Sequence, residues 1–141
     1  MGLIADSCLF IAAERKRFDL VGWTSAQSED CFIAAISLSE LYRGMHRADT
    51  EIRREERRKF ITIQLGRFAI IAFGEREAEI HAAIAADLDS RGQRIGAYDS
   101  LIAATALAHD WSVATLNISE FQRVPELKVI DASPWMVKKP S

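Results

Sequence analysis

A chain of 141 residues with 49% hydrophobic and 27% charged residues is neither disordered nor fibrous. It is long enough to bury roughly two thirds of its unfolded surface around one core. The formal net charge of -2 offers no global attraction to nucleic acid or acidic lipid, so a polyanionic partner would need a local basic patch. No apolar run approaches the about 18 to 20 residues of a membrane-spanning helix. Asp6 interrupts the apolar start and the basic cluster Arg15, Lys16, Arg17 comes after it, so a secretory leader is not expected. Cys8 and Cys31 are too few and too far apart for a metal knuckle or a redox pair, and read as small core residues of a cytoplasmic protein.

Gly2 to Ala5 reads as a short buried strand ending at Asp6, followed by a helix from about Ser7 to Lys16 and another over Leu20 to Ala26. After a turn at Ser28 to Asp30, the apolar run Cys31 to Ile36 has strand length and the character of a sheet covered on both faces. Ser37 and Glu40 then form the S-x-x-E pattern of a capping box ahead of Leu41, Tyr42 and Met45. From Arg43 to Arg67 the chain turns basic, carrying eight of its 18 Lys and Arg residues against the acids Asp49, Glu51, Glu55 and Glu56. An amphipathic helix from about Thr50 to Leu65 is expected there, with Glu55 and Lys59 as an i,i+4 pair.

Phe68 to Phe73 is a further strand, broken by Gly74. A helix follows from about Glu75 to Arg91 with Ile80, Ile84 and Leu88 on one face. Gly96 precedes an Ala-rich helix running to His109, with Asp99 as its expected N-cap and apolar residues all round, so that it should be nearly surrounded by protein. Ser112 to Thr115 and Lys128 to Ile130 complete about five strands. Strands alternating with helices predict a single α/β domain over residues 1–141, a three-layer α/β/α sandwich on a mostly parallel sheet. The tail from about Ser133 is expected to pack loosely. Phe18, Leu20 and Trp23 are expected to offer apolar surface for a homodimer.

Three acids repeat one arrangement: Asp6, Glu40 and Asp99 each lie where an apolar run meets a helix. In an open α/β sheet such junctions gather at the carboxyl ends of the strands, where ligands bind. Converging carboxylates repel, and a divalent cation removes the conflict. Oxygen donors without paired Cys or His suit a hard ion, Mg²⁺ or alternatively Mn²⁺, and such a site can drive phosphodiester hydrolysis.

The same residues resemble a known family. Asp6-Ser7, Glu40 in E-L-Y-R-G, Asp99 in I-G-A-Y-D-S-L-I-A-A-T-A-L and T-L-N-I-S-E-F from Thr115 to Phe121 are similar to PIN-domain ribonucleases. Within that family they most resemble VapC-type toxins of toxin-antitoxin modules. The resemblance spans residues 2 to about 131. It implies the α/β/α sandwich, metal-dependent cleavage of RNA, and inhibition by a VapB-type antitoxin. Carried over residue by residue, it makes Asp6, Glu40 and Asp99 metal ligands and adds Asn117 as a catalytic residue. Ser7 and Thr115 are hydroxyls that orient them. Asn117 adds no negative charge, so either it completes the site or Glu120 reaches in. Arg43 and Arg47, three and seven residues beyond Glu40, are expected to hold backbone phosphate.

Rival readings are weaker. Asp87, Asp89 and Gly92 begin an EF-hand-like pattern that fails at Arg91 and at Tyr98, and His46, His81 and His109 are isolated. A receiver-type signalling domain would need paired acids after the first strand, and Asp6 has no acidic neighbour. A PIN-like binding module without cleavage is the remaining alternative.

Overall fold

The computed structural model describes residues 1–138. Five strands, β1 (Gly2–Ala5), β2 (Asp30–Ala34), β3 (Ala69–Ile71), β4 (Ser112–Thr115) and β5 (Val129–Asp131), form one sheet in the order β3-β2-β1-β4-β5. Every pairing is parallel, with Leu3 opposite Cys31 on one side and Ser112 on the other. The helices are α1 (Ser7–Glu14), α2 (Leu20–Ala26), α3 (Ala35–His46), α4 (Glu51–Leu65), α5 (Glu75–Ser90), α6 (Ala97–His109) and the single turn α7 (Ile118–Phe121).

Because a strand alternates its side chains between faces, a sheet covered on both sides must be apolar at successive positions. Leu3, Ala5, Ile33 and Ala114 point into one core with Phe10, Trp23, Leu41 and Ile61. Ile4, Ala34 and Val113 point into the other with Ile84, Leu88, Ile102 and Phe121. Ala103, Ala104, Ala106 and Ala108 of α6 are all buried, and their small side chains let this helix lie close to the sheet.

From β1 the chain crosses over outward to β2 and β3, whereas β4 and β5 lie on its other side. The strand order therefore reverses between β1 and β4, and at such a switch point the connections leaving the two strands diverge and open a crevice. Asp6 follows β1 directly and Asn117 closely follows β4. This order also separates the chain from the receiver fold, whose sheet runs 2-1-3-4-5.

Several local expectations are corrected. Helix α3 starts at Ala35 with Ala34 as N-cap, so Ser37 and Glu40 form no capping box. Helix α6 starts at Ala97 after Gly96, so Asp99 lies in its first turn and caps nothing. On α4, Thr50 caps through the Arg53 amide as its residue type favours, but Glu55 pairs with Arg58 (3.2 Å) instead of Lys59. Phe18, Leu20 and Trp23 are only 4%, 5% and 1% exposed, which removes them as a dimer surface. They are covered from within the chain. Trp135 packs against this core, the Val137 amide donates to the Arg17 carbonyl (2.8 Å), and Met136 bridges to Phe18. The segment 133–138 is thus docked; residues 139–141 of the expected loose tail lie outside the described residues. No helix among the described residues is long and apolar enough to cross a membrane.

Candidate active site

Asp6 is buried at the carboxyl end of β1, and burial raises its pKa against the opposing pull of hydrogen bonds from Cys8, Thr115 and Ser7. Thr115 Oγ1 donates to Asp6 Oδ2 (2.8 Å), and the Cys8 thiol donates to the same oxygen (3.0 Å). Ser7 Oγ lies between two acids, 2.8 Å from Glu40 Oε1 and 3.4 Å from Asp6 Oδ1. Glu40, half-buried in the second turn of α3, is held there by that hydroxyl. Its pKa is raised by burial and, to a lesser extent, by the Asp6 charge.

The other half of the site hangs on Asn117. Its backbone amide donates to Thr115 Oγ1 (2.9 Å), and its carboxamide nitrogen donates to Glu120 Oε2 (2.7 Å) and more loosely to Asp99 Oδ2 (3.5 Å). Asp99 is pushed up to about 8, first by burial, then by Glu120, Asp6 and Glu40. Glu120 moves the opposite way because Asp99, Asn117 and Arg123 stabilise its charge. The two shifts run in opposite directions, as expected when two close carboxyl groups cannot both ionise cheaply.

One chain of contacts therefore links Glu40, Ser7, Asp6, Thr115, Asn117, Asp99 and Glu120, and Asp99 feels the other three acids. The structure brings together every acid that the sequence singled out, and both Asn117 and Glu120 lie in the group. Among the described residues no three His, Cys, Asp or Glu side chains converge tightly enough to enclose an ion as arranged. The donor set nevertheless fits a hard divalent cation. It consists of carboxylates and a carboxamide, and burial, with the neighbouring acids second to it, raises the Asp99 pKa. The residues that fit this role are Asp6, Glu40, Asp99 and Glu120, with Asn117 beside them.

Cys8 is the residue that sequence reading missed. Its thiol contacts Asp6, Thr115 (3.5 Å) and the Leu116 amide (3.4 Å), and burial together with the Asp6 charge pushes its pKa up to about 12. Its position two residues after Asp6, in the first turn of α1, was the available signal. Arg43 and Arg47 line a cleft with Glu40, Ile11, Gly44 and Tyr98, on the rim of the acid group. The rejected candidates are accounted for elsewhere: Asp87 and Asp89 pair with Arg91 and Arg94, and His81 with Ser100.

The PIN domain profile matches residues 3–127. The chain belongs to the PIN-domain family. Its PIN fold is 36% identical over 130 residues to Ribonuclease VapC of Rickettsia bellii, covering 92% of this chain and 96% of that protein. It is 37% identical over 133 residues to Ribonuclease VapC1 of Rickettsia felis, covering 94% and 98%. Among solved structures it resembles VapBC2 of Rickettsia felis bound to a DNA fragment from its promoter, with a TM-score of 0.81 and 26% identity over 92% of this chain and 97% of that one. The chain thus shares its overall fold with that solved VapBC complex.

Proposed function

We propose that this PIN domain is a divalent-metal-dependent endoribonuclease, the toxin of a toxin-antitoxin pair, with Asp6, Glu40 and Asp99 as its principal metal ligands and Mg²⁺ or Mn²⁺ as the metal. The observation that carries the reading is the linked carboxylate group at the switch point of the sheet, with Asp99 raised to about 8 by its surroundings. Bound there, the cation would polarise an attacking water and offset the charge that builds on the phosphate.

The protein's own part is to hold four acids close despite their repulsion. Thr115 and Cys8 fix one oxygen of Asp6, Ser7 ties its other oxygen to Glu40, and Asn117 sets Asp99 against Glu120. Burial of Asp6 and partial burial of Glu40 and Asp99 limit how far water screens these charges, so a cation gains more there than it would at a fully exposed carboxylate. Arg43 and Arg47 sit beside the acids and supply the positive charge that the chain as a whole lacks, placing the RNA backbone over the site. The solved relative pairs a VapC with a VapB in one complex, and by the same relationship the partner of this chain is a VapB-type antitoxin.

The test is direct. Purified protein is incubated with total RNA with and without Mg²⁺ or Mn²⁺, beside Asp99→Asn. Cleavage that needs both the metal and Asp99 is the expected result; metal-independent cleavage, or equal cleavage by the variant, refutes the assignment.

A further inference from the structure

We infer that the cleft beside Glu40 is a nucleotide subsite that receives one unpaired base of the RNA, with Tyr98 as its stacking surface and Gly44 as its open floor. This rests on the ribonuclease reading and adds a place for the substrate to it. The cleft is lined by Ile11, Glu40, Arg43, Gly44, Arg47 and Tyr98. Tyr98 is half-buried and directly precedes Asp99, so a base resting on its ring leaves the adjoining phosphate next to the acids.

Gly44 is the independent observation. It lies inside α3, where glycine weakens a helix because it gains the most freedom on unfolding. Packing does not demand it, since among the described residues no atom from outside its own stretch of helix lies within 4 Å of the position a Cβ would take. Its carbonyl, near the helix end, accepts from Arg57 (2.6 Å) and needs no special backbone angle. Because Gly44 lines this cleft, and also the neighbouring one with Arg15 and Arg57, a methyl group added there would take up open space beside Glu40. Both arginines are exposed, and among the described residues neither is in an ion pair. Two unpaired guanidinium groups and an aromatic ring beside the acid group suit a phosphate and its base. Stacking on Tyr98 requires a base that is not already stacked in a duplex, so the ligand is single-stranded RNA.

The experiment compares wild type, Gly44→Ala, Tyr98→Ala and Tyr98→Phe in Mn²⁺-dependent cleavage of a fluorophore-labelled single-stranded RNA, together with thermal melting. Gly44→Ala is expected to melt about 2–4 °C higher, because alanine favours helix, and yet to show a KM raised about tenfold with kcat within about twofold. Tyr98→Ala should raise KM about tenfold as well, and Tyr98→Phe should restore it. Unchanged KM in Gly44→Ala or Tyr98→Ala overturns the subsite, as does a lowered melting temperature for Gly44→Ala, which would make the glycine a packing requirement. If Gly44→Ala leaves KM unchanged but no longer binds the antitoxin, the cleft belongs to a protein partner and the inference is likewise overturned. A wild-type protein that cleaves no RNA brings down the ribonuclease reading and the subsite together, whereas an active wild type with indifferent variants brings down the subsite alone.

Discussion

At its amino-terminal end helix α6 sets Asp99 among three other acids, while at its carboxyl-terminal end His109 stacks on Trp111 (ring centroids 4.5 Å apart), which in turn stacks on Phe32 (4.4 Å). The second arrangement is built for fit. A Cβ on Gly2 would stand 2.4 Å from the Trp111 ring, so β1 must begin with glycine for the ring to lie flat across it. The first arrangement is built against its own stability, since burial and like charge hold Asp99 far above the ordinary carboxylate range. One rigid helix thus carries a packing end and a chemical end, and changes at the two should move stability and activity independently.

Asp99→Asn should separate them most. Metal-dependent cleavage should fall by about a thousandfold or more, an effect comparable to removing a group that acts only in the transition state. The metal-free variant should nevertheless melt higher than wild type at pH 8, by about 3 °C for a gain of roughly 1 kcal/mol, after discounting for the half-exposed position of the group. Trp111→Ala should do the reverse, costing roughly 2–3 kcal/mol in chemical denaturation because the ring is only partly buried, with kcat per folded molecule within about twofold of wild type. Joint charge reversal, Arg43→Glu with Arg47→Glu, should weaken RNA binding about tenfold to a hundredfold and reduce the magnitude of its salt slope by about 1.5–2, with no loss of folding.

The smallest effect is on the pH profile of stability. A carboxyl group whose folded pKa is raised from 3.8 to about 8 binds its proton more tightly in the native state. Stability is therefore full below about pH 4 as far as this group is concerned and is lost as pH rises towards 8. Melting of the metal-free protein across that window should show the decline, and the slope should be shallower in Asp99→Asn.

The fold was readable because its signals are local. Strands at Gly2 to Ala5 and Ser112 to Thr115 announce themselves as apolar runs, and the acids mark where each run ends. The strand order was not readable, because nothing along the chain says on which side of β1 the fourth strand will lie. Asp99 looked like a helix cap because Asp favours that position, but tertiary packing starts the helix at Ala97 and leaves the carboxyl group to the site. The Ser37 pattern misled similarly: packing starts α3 at Ala35, and the Ser37 hydroxyl is buried without a hydrogen-bond partner while Glu40 turns to Ser7. Cys8 looked like core because thiols usually are, and only the fold brings Thr115, 107 residues away, beside it. Trp23 and Phe18 looked free because their cover, Trp135 and Met136, comes from the far end of the chain.

The proposed function depends on Asp6, Glu40 and Asp99 together holding one or two divalent cations. Calorimetric titration of the purified protein with Mn²⁺ at pH 7.5, beside Asp6→Asn, Glu40→Gln and Asp99→Asn, tests it most directly. Saturable binding by the wild type, weakened at least tenfold by each of the three substitutions, is the expected result. No binding by the folded wild type, or binding that survives all three substitutions unchanged, would contradict it.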